Sequence, residues 1–297
     1  MSRMLNEKVM GGSLEYTVSE GQVCVVSCQV QEGRFEIPDF IEGMPVTQIG
    51  KKALLGNKIL RELVLSGNLQ EVGDWAFAHC DSLWEILMPE REIRFGKGAF
   101  KGCGCLRYIK LKDKEDLKLA GLLAAVPVML EADYLLSLPE AGERFWLQKL
   151  DARLKTLLEK PDKEGYSKQV LCGEEDLMAS LEVYLNERRK QKARLCYMRL
   201  LNDTGLETEL KEQLEKYIKE NTKGCEFEAS WEVVLKEHGN EQEYYRIFAD
   251  AGGITEENFD ELLFDMGESY PEMKAWLIRY KEEHNPEEDF FAGLSLD

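Results

Sequence analysis

In the first half of the chain the apolar positions come back every 23 residues. Val46-Thr47-Gln48-Ile49-Gly50 returns as Leu69-Gln70-Glu71-Val72-Gly73 and again as Glu92-Ile93-Arg94-Phe95-Gly96. Three residues after each glycine stands an alanine followed by a large apolar residue: Ala53-Leu54, Ala76-Phe77, Ala99-Phe100. Each is followed by a run of apolar residues at offsets three and two: Leu60/Leu63/Leu65, Leu83/Ile86/Met88 and Leu106/Ile109/Leu111. A unit this short cannot bury its own apolar side, so a repeat of roughly 20 to 29 residues means a solenoid in which neighbours cover one another.

The apolar run of each unit predicts a short parallel strand, at Arg61–Leu65, Trp84–Met88 and Arg107–Leu111. Side chains alternate along a strand, so Leu63, Ile86 and Ile109 point inward with Leu65, Met88 and Leu111. Glu62/Glu85/Tyr108 and Val64/Leu87/Lys110 then make two outer columns, flanked by Arg61/Trp84/Arg107. Three complete repeats run from about Val46 to Lys114, at 46–68, 69–91 and 92–114. Before them, residues 14–37 read as two or three strands broken at Glu20-Gly21 and stopped at Pro38. A solenoid needs its first apolar layer covered, so this segment is expected to be an N-terminal β cap.

From Lys114 onward the period becomes helical. Leu147/Leu150/Leu154/Leu157/Leu158 has the spacing of an amphipathic helix, Leu177/Leu181/Tyr184/Leu185 that of another, and Ala193/Cys196/Tyr197/Leu200/Leu201 that of a third. Leu206/Leu210/Leu214/Tyr217/Ile218, Phe227/Trp231/Val234/Leu235 and Tyr244/Tyr245/Phe248 follow, the last ending at Gly252-Gly253. Thr255 is placed to cap a further helix carrying Phe259/Leu262/Leu263/Met266, with Glu256 and Glu257 in its first turn. Pro271 is allowed in the opening turn of the last, Met273/Trp276/Leu277/Tyr280. The expected fold class is α+β: a short leucine-rich β-solenoid over residues 1–115, then an all-α domain of helix hairpins over residues 116–297.

The pattern Val72-Gly73, Ala76-Phe77, Cys80, Leu83, Ile86, with its copy 23 residues on, closely resembles the BspA-like class of bacterial leucine-rich repeats. The first repeat is a weaker match, with Leu54 where the class has Phe and Asn57 where it has Cys. The lead-in Ile37-Pro38-Asp39 and Glu42-Gly43-Met44-Pro45-Val46-Thr47 is also similar, so the resemblance covers about Leu14 to Leu111. The second half is similar to the helical region that accompanies such repeats in cytosolic proteins of gut Firmicutes. It is carried by Asp151-Ala152-Arg153-Leu154, Lys163-Glu164-Gly165-Tyr166-Ser167 and Lys192-Ala193-Arg194-Leu195. The final helix pair is faintly similar to an ankyrin pair. The resemblance implies a binding scaffold, with secreted adhesins among the relatives.

Charge is placed unevenly. The chain of 297 residues has a formal net charge of −18; residues 1–115 carry 15 Lys/Arg against 16 Asp/Glu, and residues 116–297 carry 23 against 40. That sign argues against nucleic acid and against an anionic membrane as partners. The acidity of the second half fits either simple solubility or a basic protein partner. The longest apolar stretch, Leu119 to Leu130, contains Gly121 and Pro127 and is too short to span a bilayer. With Met1 as the start and no signal-peptide core behind it, the expected location is the cytosol, where the eight cysteines would be thiols. An export signal upstream would turn the reading to surface adhesion.

A search for catalytic chemistry finds little. His238 and His284 fall at helix ends, where a cation is favourable anyway, and Phe95-Gly96-Lys97-Gly98 lacks phosphate-loop spacing. Cys80 and Cys103 hold equivalent repeat positions, and Cys24 and Cys28 share a strand; no paired C-x-x-C supports zinc, so no metal or cofactor is expected. Acidic runs at Glu174-Glu175-Asp176 and Glu287-Glu288-Asp289 read as solvated surface. An enzyme in the helical half stays open, without residues behind it. The candidate contact residues are Arg61, Trp84, Leu87, Arg107 and Tyr108, a mix of aromatic and arginine typical of interface hot spots. That face either packs against the chain's own helical half or receives an external protein or peptide.

Overall fold

The computed structural model describes residues 4–136, 142–166 and 181–284. Leu177, the two acidic runs named above and the tail with Phe290-Phe291 lie outside those residues. The chain forms two compact units: Met1–Glu159 with Asn202–Gly205, and Lys160–Leu201 with Leu206–Asp297. Among the described residues the first unit therefore holds two α-helices beyond residue 115 as well as the solenoid.

Two parallel ladders run along the solenoid. Strands β4 (Arg34–Glu36), β7 (Glu62–Val64), β9 (Glu85–Met88) and β11 (Tyr108–Leu111) form a four-stranded sheet in the order β11-β9-β7-β4. The V-T-x-I-G runs form the second ladder, in which β6 (Met44–Ile49), β8 (Glu71–Val72) and β10 (Arg94–Phe95) continue a hairpin set made by β1 (Leu5–Val9), β2 (Gly12–Ser19) and β3 (Gln22–Val30). The two-residue β5 (Phe40–Ile41) pairs with β6. The solenoid thus has about four turns, and it begins earlier than the period of 23 suggests. Phe35 pairs in register with Leu63, and Arg34 is 28 residues from Glu62. The β5–β6 hairpin supplies the extra residues, which hides β4 from the repeat count and makes it part of the ladder rather than of the cap.

Successive turns are also tied at their bends. Leu54 N donates to Ala76 O at 2.8 Å and Phe77 N to Ala99 O at 2.9 Å. The glycine of each run is required by this stacking. A Cβ on Gly73 would stand 2.6 Å from Lys51 N, and one on Gly96 2.5 Å from Asp74 N, closer than any real contact. Each bend also passes through left-handed backbone, at Lys52, Trp75 and Gly98 and again at Gly56, His79 and Gly102. Inside, Ala53, Ala76 and Ala99 are buried with Leu54, Phe77 and Phe100, and the Phe77 and Phe100 rings lie 5.1 Å apart.

Both ends of the solenoid are covered within its own unit. Leu14, Tyr16, Val23 and Val25 of the hairpins are buried at the start. At the other end the apolar stretch after Lys114 becomes helix α1 (Leu117–Met129), buried over most of its circumference and packed on β11; such all-round apolarity marks an interior helix. Asp116 caps it, accepting from Leu119 N at 2.9 Å. A 3₁₀ turn at Asp133–Leu136 follows, and Asp133 accepts from Gly98 N at 3.0 Å, ending the second ladder. Burial pushes the Asp133 carboxyl above its ordinary range, against the backbone amides of Gly98 and Ala99 that lower it. Helix α2 (Glu143–Glu159) buries Leu147, Leu150, Leu154 and Leu157 of the predicted stripe together with Trp146, while Leu158 is only half-buried, and Trp146 Nε1 donates to Leu135 O.

The second unit holds α3 (Leu181–Leu201), α4 (Thr208–Glu220), α5 (Ala229–Glu237), α6 (Gln242–Asp250), α7 (Phe259–Met266) and α8 (Pro271–His284). The spacing suggests two helices across Leu181–Leu201, whereas one continuous helix is found. The stretch between its apolar groups, Asn186 to Gln191, is polar but contains no Gly or Pro, so nothing breaks it. Its charges are held from elsewhere: Asp162 receives Arg189 Nε at 3.0 Å and Lys192 Nζ at 2.8 Å, and Arg194 forks onto Glu237. Thr255 is not the helix N-cap: that position falls to Asn258 and the helix starts at Phe259, with Asp260 and Glu261 rather than Glu256 and Glu257 in its first turn. Thr255 and Asn258 instead close the preceding turn through a reciprocal pair at 3.2 and 2.9 Å. Trp231, Tyr245 and Phe248 form the aromatic centre of this unit. No helix among the described residues is long and apolar enough to cross a membrane.

Candidate protein-binding face

The outer surface of the four-stranded sheet follows from the pleat. Leu63, Leu65, Ile86, Met88, Ile109 and Leu111 are all buried, so the alternate side chains face out. Register places Arg34, Glu62, Glu85 and Tyr108 in one column and Glu36, Val64, Leu87 and Lys110 in the next. A third column precedes the strands: Trp84 N donates to Arg61 O at 2.8 Å and Arg107 N to Trp84 O at 3.0 Å. Arg61, Trp84, Leu87, Arg107 and Tyr108 thus share one surface. Trp84 is 48% exposed, Arg61 and Arg107 are exposed, and Leu87 and Tyr108 are half-buried. Val64 is buried, against the expectation of an open column, because it is short and stands between Glu36 and Leu87.

The face is held in shape by side-chain contacts. Tyr108 meets Trp84 edge to face, with centroids 5.9 Å apart and planes at 70°, a preferred aromatic arrangement. Lys110 Nζ lies 2.7 Å from Glu85 Oε2 and 5.9 Å from the centre of the Tyr108 ring. Arg34 pairs with Glu62 at 3.0 Å and Lys112 with Asp39 at 3.6 Å. Pairs this exposed add about 0–1 kcal/mol each, so their role is to fix rotamers. Arg34 and Glu36 extend the surface by one strand; only the Phe35/Ile37 spacing signals them in the sequence, and the 28-residue step conceals it.

Other candidate groups have structural roles. Cys80 Sγ donates to Leu54 O at 3.2 Å and Cys103 Sγ to Phe77 O at 3.1 Å, each reaching the turn before its own. Burial pushes these thiols up, to about 11 and about 12 respectively. Asn57, at the equivalent place in the first repeat, instead accepts from Ile59 N and Leu60 N. His238 ends α5, stacks on Tyr244 at 3.5 Å and meets Glu241 Oε1 at 3.0 Å. His284 Nδ1 donates to Tyr280 O. Among the described residues no group of three or more His, Cys, Asp or Glu is placed to hold a metal ion.

Residues 33–118 match the family model of the BspA type leucine rich repeat region, in six copies. This segment is a BspA-type leucine-rich repeat region. Two solved structures are similar to parts of it. The Treponema pallidum (T. pallidum) leucine-rich repeat protein is 21% identical over 32% of this chain and 46% of that one, with a TM-score of 0.28. A leucine-rich cell surface protein from Faecalibacterium prausnitzii A2-165 is 18% identical over 36% of this chain and 31% of that one, with a TM-score of 0.30. The chain therefore spans less than half the length of either. A comparison with curated proteins gives no match.

Proposed function

We propose that the chain is a non-catalytic interaction scaffold of the cytosol, and that the outer face of its four-stranded sheet binds a protein or peptide. Leucine-rich repeats generally mediate protein–protein interaction or occur in surface proteins. The observation that carries the reading is the cluster on that face: an exposed Trp84 braced by Tyr108, flanked by Arg61 and Arg107, beside the apolar Leu87. Rigid aromatic surface offers much contact area for little entropy lost, and arginine adds directed hydrogen bonds. A net charge of −18 disfavours nucleic acid and anionic membrane as partners.

Affinity capture from native lysate with the wild type and with Trp84→Ala and Tyr108→Ala tests the reading. The variants should keep the wild-type melting curve and lose the captured protein. Variants that unfold would make these residues structural, and unchanged capture would move the site elsewhere.

A further inference from the structure

We infer that the segment bound on this face is acidic: an extended stretch with two carboxylates flanking one large apolar side chain, seated across the Arg61–Trp84–Arg107 column. The inference rests on the strand face being the binding surface. Its basis is which charges on that face are already engaged. Arg34, Lys110 and Lys112 each have a carboxylate partner, in Glu62, Glu85 and Asp39. Among the described residues Arg61 and Arg107 have none. Arg107 Nη1 donates only to Gly104 O at 3.2 Å, and the stem of Arg61 lies along Gly33. Arg61 and Arg107 thus leave two uncompensated positive charges either side of Trp84, against one carboxylate, Glu36, at the far end of the neighbouring column.

The geometry sets the spacing. Adjacent strands are ~4.8 Å apart, so the backbones of Arg61 and Arg107 lie roughly 10 Å apart with Trp84 midway. In an extended ligand, residues two apart share a face at ~6.8 Å steps. An acid, an apolar residue and an acid at alternate positions then span ~13.6 Å, about 4 Å more than the column, and the long arginine stems splay outward to take up the difference. Each guanidinium can hold a carboxylate with two parallel hydrogen bonds, while the apolar side chain rests on the indole. The overall negative charge of the protein repels such a segment only weakly at 0.15 M salt, where fields fade beyond about 8 Å.

The test is fluorescence anisotropy at 0.15 M salt with three labelled synthetic peptides of identical length. The first carries glutamates two residues either side of a leucine; glutamine replaces both in the second and lysine in the third. The glutamate peptide should bind at least about tenfold more tightly than the glutamine peptide. Arg61→Ala and Arg107→Ala should each weaken it by about tenfold, the size of a lost charge-assisted contact, and Trp84→Ala should weaken it further. Equal affinity for the glutamate and glutamine peptides, or no glutamate binding at 1 mM peptide (about the weakest affinity worth assigning), overturns the acidic assignment. A lysine peptide that binds and is lost with Trp84→Ala leaves the strand face standing and overturns only its charge preference. Binding indifferent to Trp84→Ala removes the face itself. Wild-type melting curves for the three variants keep these losses attributable to contact.

Discussion

The two units of this protein are specified in different ways. In the solenoid, one structural demand is met repeatedly: Gly50, Gly73 and Gly96 sit where adjacent turns touch, and Ala53, Ala76 and Ala99 where the bend packs. Backbone hydrogen bonds between turns do most of the joining. In the helical unit no position repeats. A single aromatic centre around Trp231 and charges matched across long sequence distances, such as Asp162 with Arg189 and Lys192, do the equivalent work. A repeat distributes its stability over equivalent layers, whereas an aperiodic core concentrates it in a few side chains.

That contrast can be broken by substitution. Trp231→Ala should have the largest effect, about 4 kcal/mol lost from the helical unit, because it empties the centre and removes the indole donor that Asp265 meets at 3.0 Å, leaving that carboxylate to Lys223 alone. Urea unfolding followed by circular dichroism would show it, and a loss below about 1 kcal/mol would mean the core is not concentrated there. Gly73→Ala should cost about 2–3 kcal/mol by forcing neighbouring turns apart. Gly104→Ala, with nothing near its Cβ, is the control and should be close to neutral. If both glycines tolerate alanine equally, the close approach does not explain the repeat.

The smallest effect is a divergence with pH. Burial opposes the ionised form of Glu232, yet Lys190 and Lys236 hold its carboxyl below the ordinary 4.5. Its stabilisation is therefore present above 4.5 and lost as pH falls through the lower folded value. Asp133 is raised above the ordinary 3.8, so its contribution is full below 3.8 and lost as pH rises through the folded value. Acidification should weaken amide protection around α5 and strengthen it around Gly98. Parallel changes in hydrogen exchange at the two places would contradict the assignment.

What the sequence reveals divides along the same line. The period exposes the strands, the inward residues and the five face residues, since a solenoid column is a list of positions one repeat apart. It does not expose β4, because the inserted β5–β6 hairpin shifts the step to 28. Nor does it expose the burial of Val64, which depends on the lengths of Glu36 and Leu87 beside it. In the helical unit the apolar spacing finds the helices, but not that α3 is continuous through its polar middle, nor that Asp162 and Glu237 hold its charges, pairings that no local pattern signals. The open state of Arg61 and Arg107 is likewise visible only once Arg34, Lys110 and Lys112 are seen to be paired.

The central claim is that the outer strand face binds a protein. Hydroxyl-radical footprinting of the chain with and without its captured partner tests it most directly. Protection should concentrate on Arg61, Trp84, Leu87, Arg107 and Tyr108, with the turn side of the solenoid unchanged. Protection confined to other surfaces, with Trp84 and Tyr108 as reactive in the complex as in the free protein, would contradict it.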